Sequence, residues 1–182
     1  MPRVLGVTCS GADAYLTVID VDATTRVDVV VPIGPERVRP VSAGDHGDGL
    51  VRSLAGWRRA LAEIAPDAVA LLLPESGART QKVHASWAPR CEAETLVGIA
   101  AGLARIPYDH IPRATVRSRL SVGKLDIAAK SEPAQGKYWV HRALGLYAAR
   151  TLGAIAAERG WPARLPAGDG PFEEGVNGAT PR

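Results

Sequence analysis

Between residues 3 and 33 the chain carries three strand-length apolar runs separated by only a few residues, a spacing that fits an antiparallel meander. "RVLGVTC" and "AYLTVIDV" are rich in Val, Leu, Ile and Thr, and the "SGAD" between them supplies turn residues, so the pair reads as a hairpin. "TRVDVVVPI", residues 25–33, is the third strand, with Pro32 placing it near its own end or at a sheet edge.

After the meander the pattern changes. Residues 33–49, "IGPERVRPVSAGDHGDG", are dense in Pro, Gly and Asp and predict an exposed loop. "LVRSLAGWRRALAEIA" then sets Leu50, Leu54, Trp57, Leu61 and Ile64 at helical spacing. "DAVALLLPE", residues 67–75, is an almost continuous apolar run and predicts a central strand buried on both faces. Residues 76–90, "SGARTQKVHASWAPR", have neither period nor acid. "CEAETLVGIAAGLARI" predicts a helix with Leu96, Ile99 and Leu103 on one stripe and Glu92 and Glu94 at its start, where the helix dipole favours negative charge. "PYDHIP" is a short strand, and "RATVRSRLSVGKLDIAAKSEPAQG" is a basic segment read as a short helix and a long loop. The strongest helix starts at Lys137, with Val140, Leu144, Tyr147, Leu152 and Ile155 inward and Gly160 as its stop.

This order, three strands and then helix and strand in alternation, predicts an α/β fold: a mixed five-stranded sheet with helices on both faces. The 182 residues suit one domain, assigned to 1–160. From Trp161 on, Pro, Gly and acid dominate, so 161–182 is expected to be a disordered tail. No apolar run reaches the roughly 18 residues of a membrane span, and the N-terminus lacks the build of a signal peptide. A cytoplasmic location without a membrane partner is the expectation.

Several chemistries find no support. Cys9 and Cys91 are isolated, which leaves no disulfide framework and no cysteine zinc site. His46, His84, His110 and His141 show no metal-binding spacing. "TCSGA" and "PESGA" are not nucleophile elbows, Cys9 has no evident base, and "SVGKLD" lacks the upstream glycine of a phosphate-binding loop.

Charge is more informative. The net value is only +3, but residues 1–75 hold 7 Lys/Arg against 10 Asp/Glu, residues 76–142 hold 11 against 5, and residues 143–182 hold 4 against 4. The middle segment suits a polyanionic partner. Within it Arg79, Lys82 and Arg90 lie in an acid-free stretch beside Trp87, and Arg113, Arg117, Arg119 and Lys124 precede the last helix. Arg and Lys engage phosphates whatever the base, and an aromatic among them stacks on unpaired bases. These eight residues are the candidate nucleic-acid contacts.

The chain also resembles the RuvC group of ribonuclease H-like nucleases over roughly residues 3–155. The resemblance rests on "LGVTCSGADAYLTVID" at the start, "PDAVALLLPE" at the second acidic strand, "ETLVGIAAGLARI" after it, "IPRATVRSRLSVG" ahead of the final helix, and "HRALGLYAA" within it. It implies a two-metal site fed by carboxylates from the first strand, the fourth strand and the last helix. Metals about 3.5–4 Å apart need acidic oxygens to bridge and neutralise them. Here Thr8 stands where the bridging aspartate is implied, and the strand glutamate falls at Leu72 or Leu73, unless Glu75 substitutes. The helical acids fall on Trp139 and Arg142, or on Tyr138 and His141 if the register slips by one.

The resemblance thus implies a nucleic-acid-binding domain whose metal site has been lost, with no cofactor. One alternative is an active nuclease using Mg²⁺ or Mn²⁺ on a site rebuilt from Glu75 and Asp13, with His141 or Glu92. Another is a protein–protein assembly module. A homodimer or another protein partner is compatible with these readings.

Overall fold

The computed structural model describes residues 1–22, 27–74, 84–133, 136 and 138–161, with residues 84–86 described for the backbone alone. Among these the chain forms, in order, β1 (Arg3–Ser10), β2 (Asp13–Val21), β3 (Asp28–Val31), β4 (Arg37–Val38), α1 (His46–Ile64) and β5 (Ala68–Leu72). Then come α2 (His84–Leu103), β6 (Tyr108–Ile111), α3 (Arg113–Leu120), α4 (Leu125–Ser131) and α5 (Trp139–Arg159). The sheet order is β3-β2-β1-β5-β6, with β4 also on β2. Pairing is antiparallel through the meander and parallel for β1–β5 and β5–β6, so the sheet is mixed as the element order predicts.

Strand alternation divides the core in two. Val4, Ile19, Ala70 and Leu72 pack with α3, α4 and α5 on one face, while Leu5, Val7, Cys9, Leu16 and Leu71 pack with α1 and α2 on the other. β5, buried at every residue and flanked by β1 and β6, is the interior strand that its unbroken apolar run demands. α5 lies across β1 at backbone contact. A Cβ placed on Gly6 would stand 2.0 Å from the carbonyl oxygen of Gly145, so position 6 has no room for a side chain, and one on Gly145 would stand 3.0 Å from the Gly6 carbonyl oxygen.

The loop expected at 33–49 contains β4 and the first turn of α1, whose Asp45 carboxylate accepts from the Asp48 amide as an N-cap. α2 begins at His84, seven residues before the apolar period does, and carries Pro89. Pro89, the sixth residue of α2, has no backbone N–H to donate to the preceding turn, so one backbone bond is missing there. Its buried stripe is Ala93, Leu96, Val97, Ala100 and Ala101, whereas Ile99 and Leu103 are exposed. Small side chains line that stripe because α2 packs closely on both α1 and the sheet, a preference that a search for large apolar residues overlooks.

The basic segment after β6 is two helices, not one helix and a long loop: Val116 of α3 and Leu125 and Ala129 of α4 are buried under α5. On α5 itself Leu144, Tyr147 and Leu152 point inward, but Val140 and Ile155 do not. The tail beyond Trp161 lies outside the described residues.

Candidate functional site

Ligands of α/β sheets gather beyond the carboxyl ends of the parallel strands. Here those ends are set by register. Thr8 of β1 is directly paired with Leu72 of β5, and both project toward the face that α5 covers. Thr8 is also opposite Tyr15 of β2, so Tyr15 and, two residues earlier, Asp13 share that face. The first turn of α5 closes over this corner.

The helix register settles which pair of α5 residues turns inward. Trp139 and Arg142 are buried, at 6% and 8% exposure, whereas Tyr138 and His141 are partly exposed. Trp139 packs in the core with Leu72 and Ile111, and its indole N–H donates to the Glu132 carbonyl at 3.0 Å. Arg142 donates from Nε to the Leu16 carbonyl at 3.2 Å and forms an ion pair with Glu36. The Thr17 hydroxyl donates to the Arg142 carbonyl at 2.7 Å, fixing this turn of α5 to β2.

Positions 8, 72, 139 and 142 therefore hold a buried hydroxyl, a buried leucine, a buried indole and a paired guanidinium. None offers a carboxylate oxygen, and the donor set does not suit a pair of divalent cations. Among the described residues no grouping of three or more His, Cys, Asp or Glu is placed to hold a metal ion.

The other candidate acids are dispersed. Asp13 is in the β1–β2 hairpin, paired with Arg37 at 3.3 Å. Glu92 belongs to α2 on the opposite face, 3.3 Å from His46. His141 stacks on Tyr15 with ring centres 4.5 Å apart, and burial pushes its pKa below the usual histidine value. Glu75 lies outside the described residues, as do Arg79 and Lys82.

Several of the remaining basic candidates are engaged within the chain. Arg90 meets Glu94 at 2.6 Å, Arg113 meets Asp126 at 2.9 Å, and Arg119 reaches both oxygens of Glu158 at 2.6 and 2.8 Å. Arg117 sits in the last turn of α3, and Lys124 is exposed at the N-cap of α4. Trp87 is 53% exposed on α2. Trp87 and Arg90 therefore belong to a helix on one face of the sheet, and Arg113, Arg117, Arg119 and Lys124 to helices on the other.

Glu36 and Arg37 escaped the sequence reading because they stand in a segment with no period. Tyr15 had a usable signal, since strand alternation puts it on the side of Thr8.

Neither a protein-family model nor a curated protein sequence matches the chain. Solved structures do. The chain superposes on Thermus thermophilus RuvC in complex with Holliday junction substrate with a TM-score of 0.64 at 20% identity, covering 90% of this chain and 99% of that one. A second Thermus thermophilus RuvC structure gives 0.63 at 19% identity with the same coverage. The chain thus has a RuvC-like fold of the ribonuclease H-like class. At this identity, the likeness establishes the architecture.

Proposed function

We infer that this is a nucleic-acid-binding RuvC-like domain that does not hydrolyse its ligand. The observation that carries the reading is the content of the corner under α5: Thr8, Leu72, Trp139 and Arg142 occupy the positions at which the family resemblance implies metal-holding acids. Arg142 contributes positive charge to the corner where that resemblance implies bound cations, and Glu36 balances it. Two-metal hydrolysis needs several carboxylates in one place, and Asp13, Glu92 and His141 are each committed elsewhere.

The nucleic-acid half is supported by the likeness to a protein solved with a Holliday junction and by the excess of basic residues in segment 76–142. Lys124 and Trp87, on opposite faces of the sheet, are exposed and accessible to such a ligand. Fluorescent single-stranded, duplex and four-way-junction DNA, and RNA, titrated at several salt concentrations, test it. Binding that weakens steadily with salt is expected, because phosphate contacts release counterions. Failure to bind any form at low salt would remove the reading.

A homodimer is part of the same proposal. α2 exposes Ala88, Cys91, Thr95, Ile99 and Gly102 along its outer side. This arc is centred on Thr95, so an antiparallel second copy sets Cys91 against Ile99, as an isologous interface requires. Light scattering should give twice the chain mass for the wild type and the single-chain mass for Ile99→Glu.

A further inference from the structure

Residues from three separate parts of the chain make a cluster of three rings and a guanidinium beside the buried Thr8. Tyr15 is 6% exposed and forms its floor. His141 stacks on it almost parallel, 16° between ring planes, and Tyr138 is tilted against it with ring centres 5.3 Å apart. The Arg37 guanidinium carbon lies 4.4 Å from the Tyr138 ring centre. Tyr138 and His141 are partly exposed, so the cluster reaches the surface at the end of the sheet.

We propose that this cluster, Tyr138 and His141 seated on Tyr15 and flanked by Arg37, is a binding site for one unpaired nucleobase. The proposal rests on the nucleic-acid reading above and assigns the corner a ligand class that the lost acids do not.

The charges favour a base over a phosphate. Arg37 is paired with Asp13 and Arg142 with Glu36, so these two described cations near the cluster each have a carboxylate against them. Burial also favours the neutral form of His141. A neutral aromatic surface offers little to an anion, but it offers π-faces to a planar heterocycle. Packing already restricts the rings: Tyr15 is buried, His141 is stacked on it, and Tyr138 touches both Tyr15 and Arg37. Stacking a base on them costs little additional ordering. Tyr138 lies at the N-cap of α5 and His141 in its first turn, on the rigid element that the Gly6–Gly145 contact fixes to the sheet.

The test compares a short labelled oligothymidylate with an abasic oligonucleotide of the same length and charge, at one salt concentration. The wild type should prefer the base-bearing strand by on the order of tenfold, the scale of one stacked base. His141→Ala and Tyr138→Ala should each reduce that preference toward onefold, while His141→Phe, which keeps a stacking ring, should retain it. The His141 ring protons should also shift on titration with oligothymidylate and not with the abasic strand, a readout that stands even if Tyr138→Ala does not fold. Equal affinity for the two strands would overturn this site and leave nucleic-acid binding standing. A preference that survives His141→Ala would also overturn it. Binding of neither strand at low salt would remove both readings.

Discussion

Replacing Gly6 by alanine tests the contact on which the geometry of the corner depends. A Cβ there would lie 2.0 Å from the Gly145 carbonyl oxygen, 2.7 Å from its carbon and 3.0 Å from the Ala149 Cβ. Two of these three atoms are backbone, so no rotamer change relieves the overlap and α5 must move by more than 1 Å to restore an ordinary contact near 3.2 Å. α5 carries a large part of one core face, including Leu146, Ala148, Ala149 and Leu152, so the displacement loosens many contacts together. Overpacking of this kind usually costs about 1–3 kcal/mol, and a clash with rigid backbone on both sides belongs at the upper end, about 3 kcal/mol. For a chain of this size each kcal/mol moves the melting temperature by roughly 2–4 °C, which makes the expected fall about 6–12 °C. Gly56→Ala is the control, because nothing lies within 4 Å of its added Cβ on α1. It should stabilise by about 0.5–1 kcal/mol through helix propensity. Urea and thermal unfolding of both variants check this. A loss below about 0.5 kcal/mol in Gly6→Ala would show that α5 does not rest on β1 as described.

Arg142→Ala removes the buried donor to the Leu16 carbonyl and should cost about 1–3 kcal/mol in urea unfolding. Arg119→Ala, which breaks a partly exposed pair with Glu158, should cost no more than about 1 kcal/mol. His141 has its pKa lowered from 6.5 by burial, so near that pH the unfolded chain holds more protons than the folded one. Stability should therefore fall as pH drops through 6.5 toward the folded value, and His141→Phe should flatten that part of a stability-against-pH curve. Burial pushes the Cys9 thiol up to about 12, while Cys91 is exposed. Iodoacetamide at mildly alkaline pH should then modify one cysteine in the folded Ile99→Glu variant, which lacks the proposed α2 interface, identified as Cys91 by peptide mass, and two after denaturation.

How far the sequence reveals this molecule depends on the range of the interactions involved. β1, β2 and β5 are legible because each is a local run of Val, Leu, Ile and Ala whose burial demands a sheet. Thr8 is legible as a departure because the strand and turn around it resemble a known pattern. The start of α2 is hidden by Pro89 and by a stripe made of alanines. β4 is hidden because two residues carry no period, and its partner Tyr15 is more than twenty positions away. The same holds for the cluster of Tyr15, Arg37, Tyr138 and His141. Sheet pairing and the crossing of α5 over β1 assemble it, and no local spacing encodes either. The candidate arginines show the converse case. Their positive charge is plain in the sequence, but the partners Glu94, Asp126 and Glu158 that occupy Arg90, Arg113 and Arg119 appear only in three dimensions.

Thr8, Leu72, Trp139 and Arg142 give the corner under α5 no carboxylate of their own, and we infer that it does not support metal-dependent hydrolysis. Incubating labelled four-way-junction DNA with the protein across a Mn²⁺ titration, then resolving the strands on a denaturing gel, tests it most directly. Intact strands at every Mn²⁺ concentration, alongside salt-sensitive binding on a native gel, are the expected result. Cleavage that rises with Mn²⁺ and disappears in Glu75→Ala would contradict it and show that the site has been rebuilt around another acid.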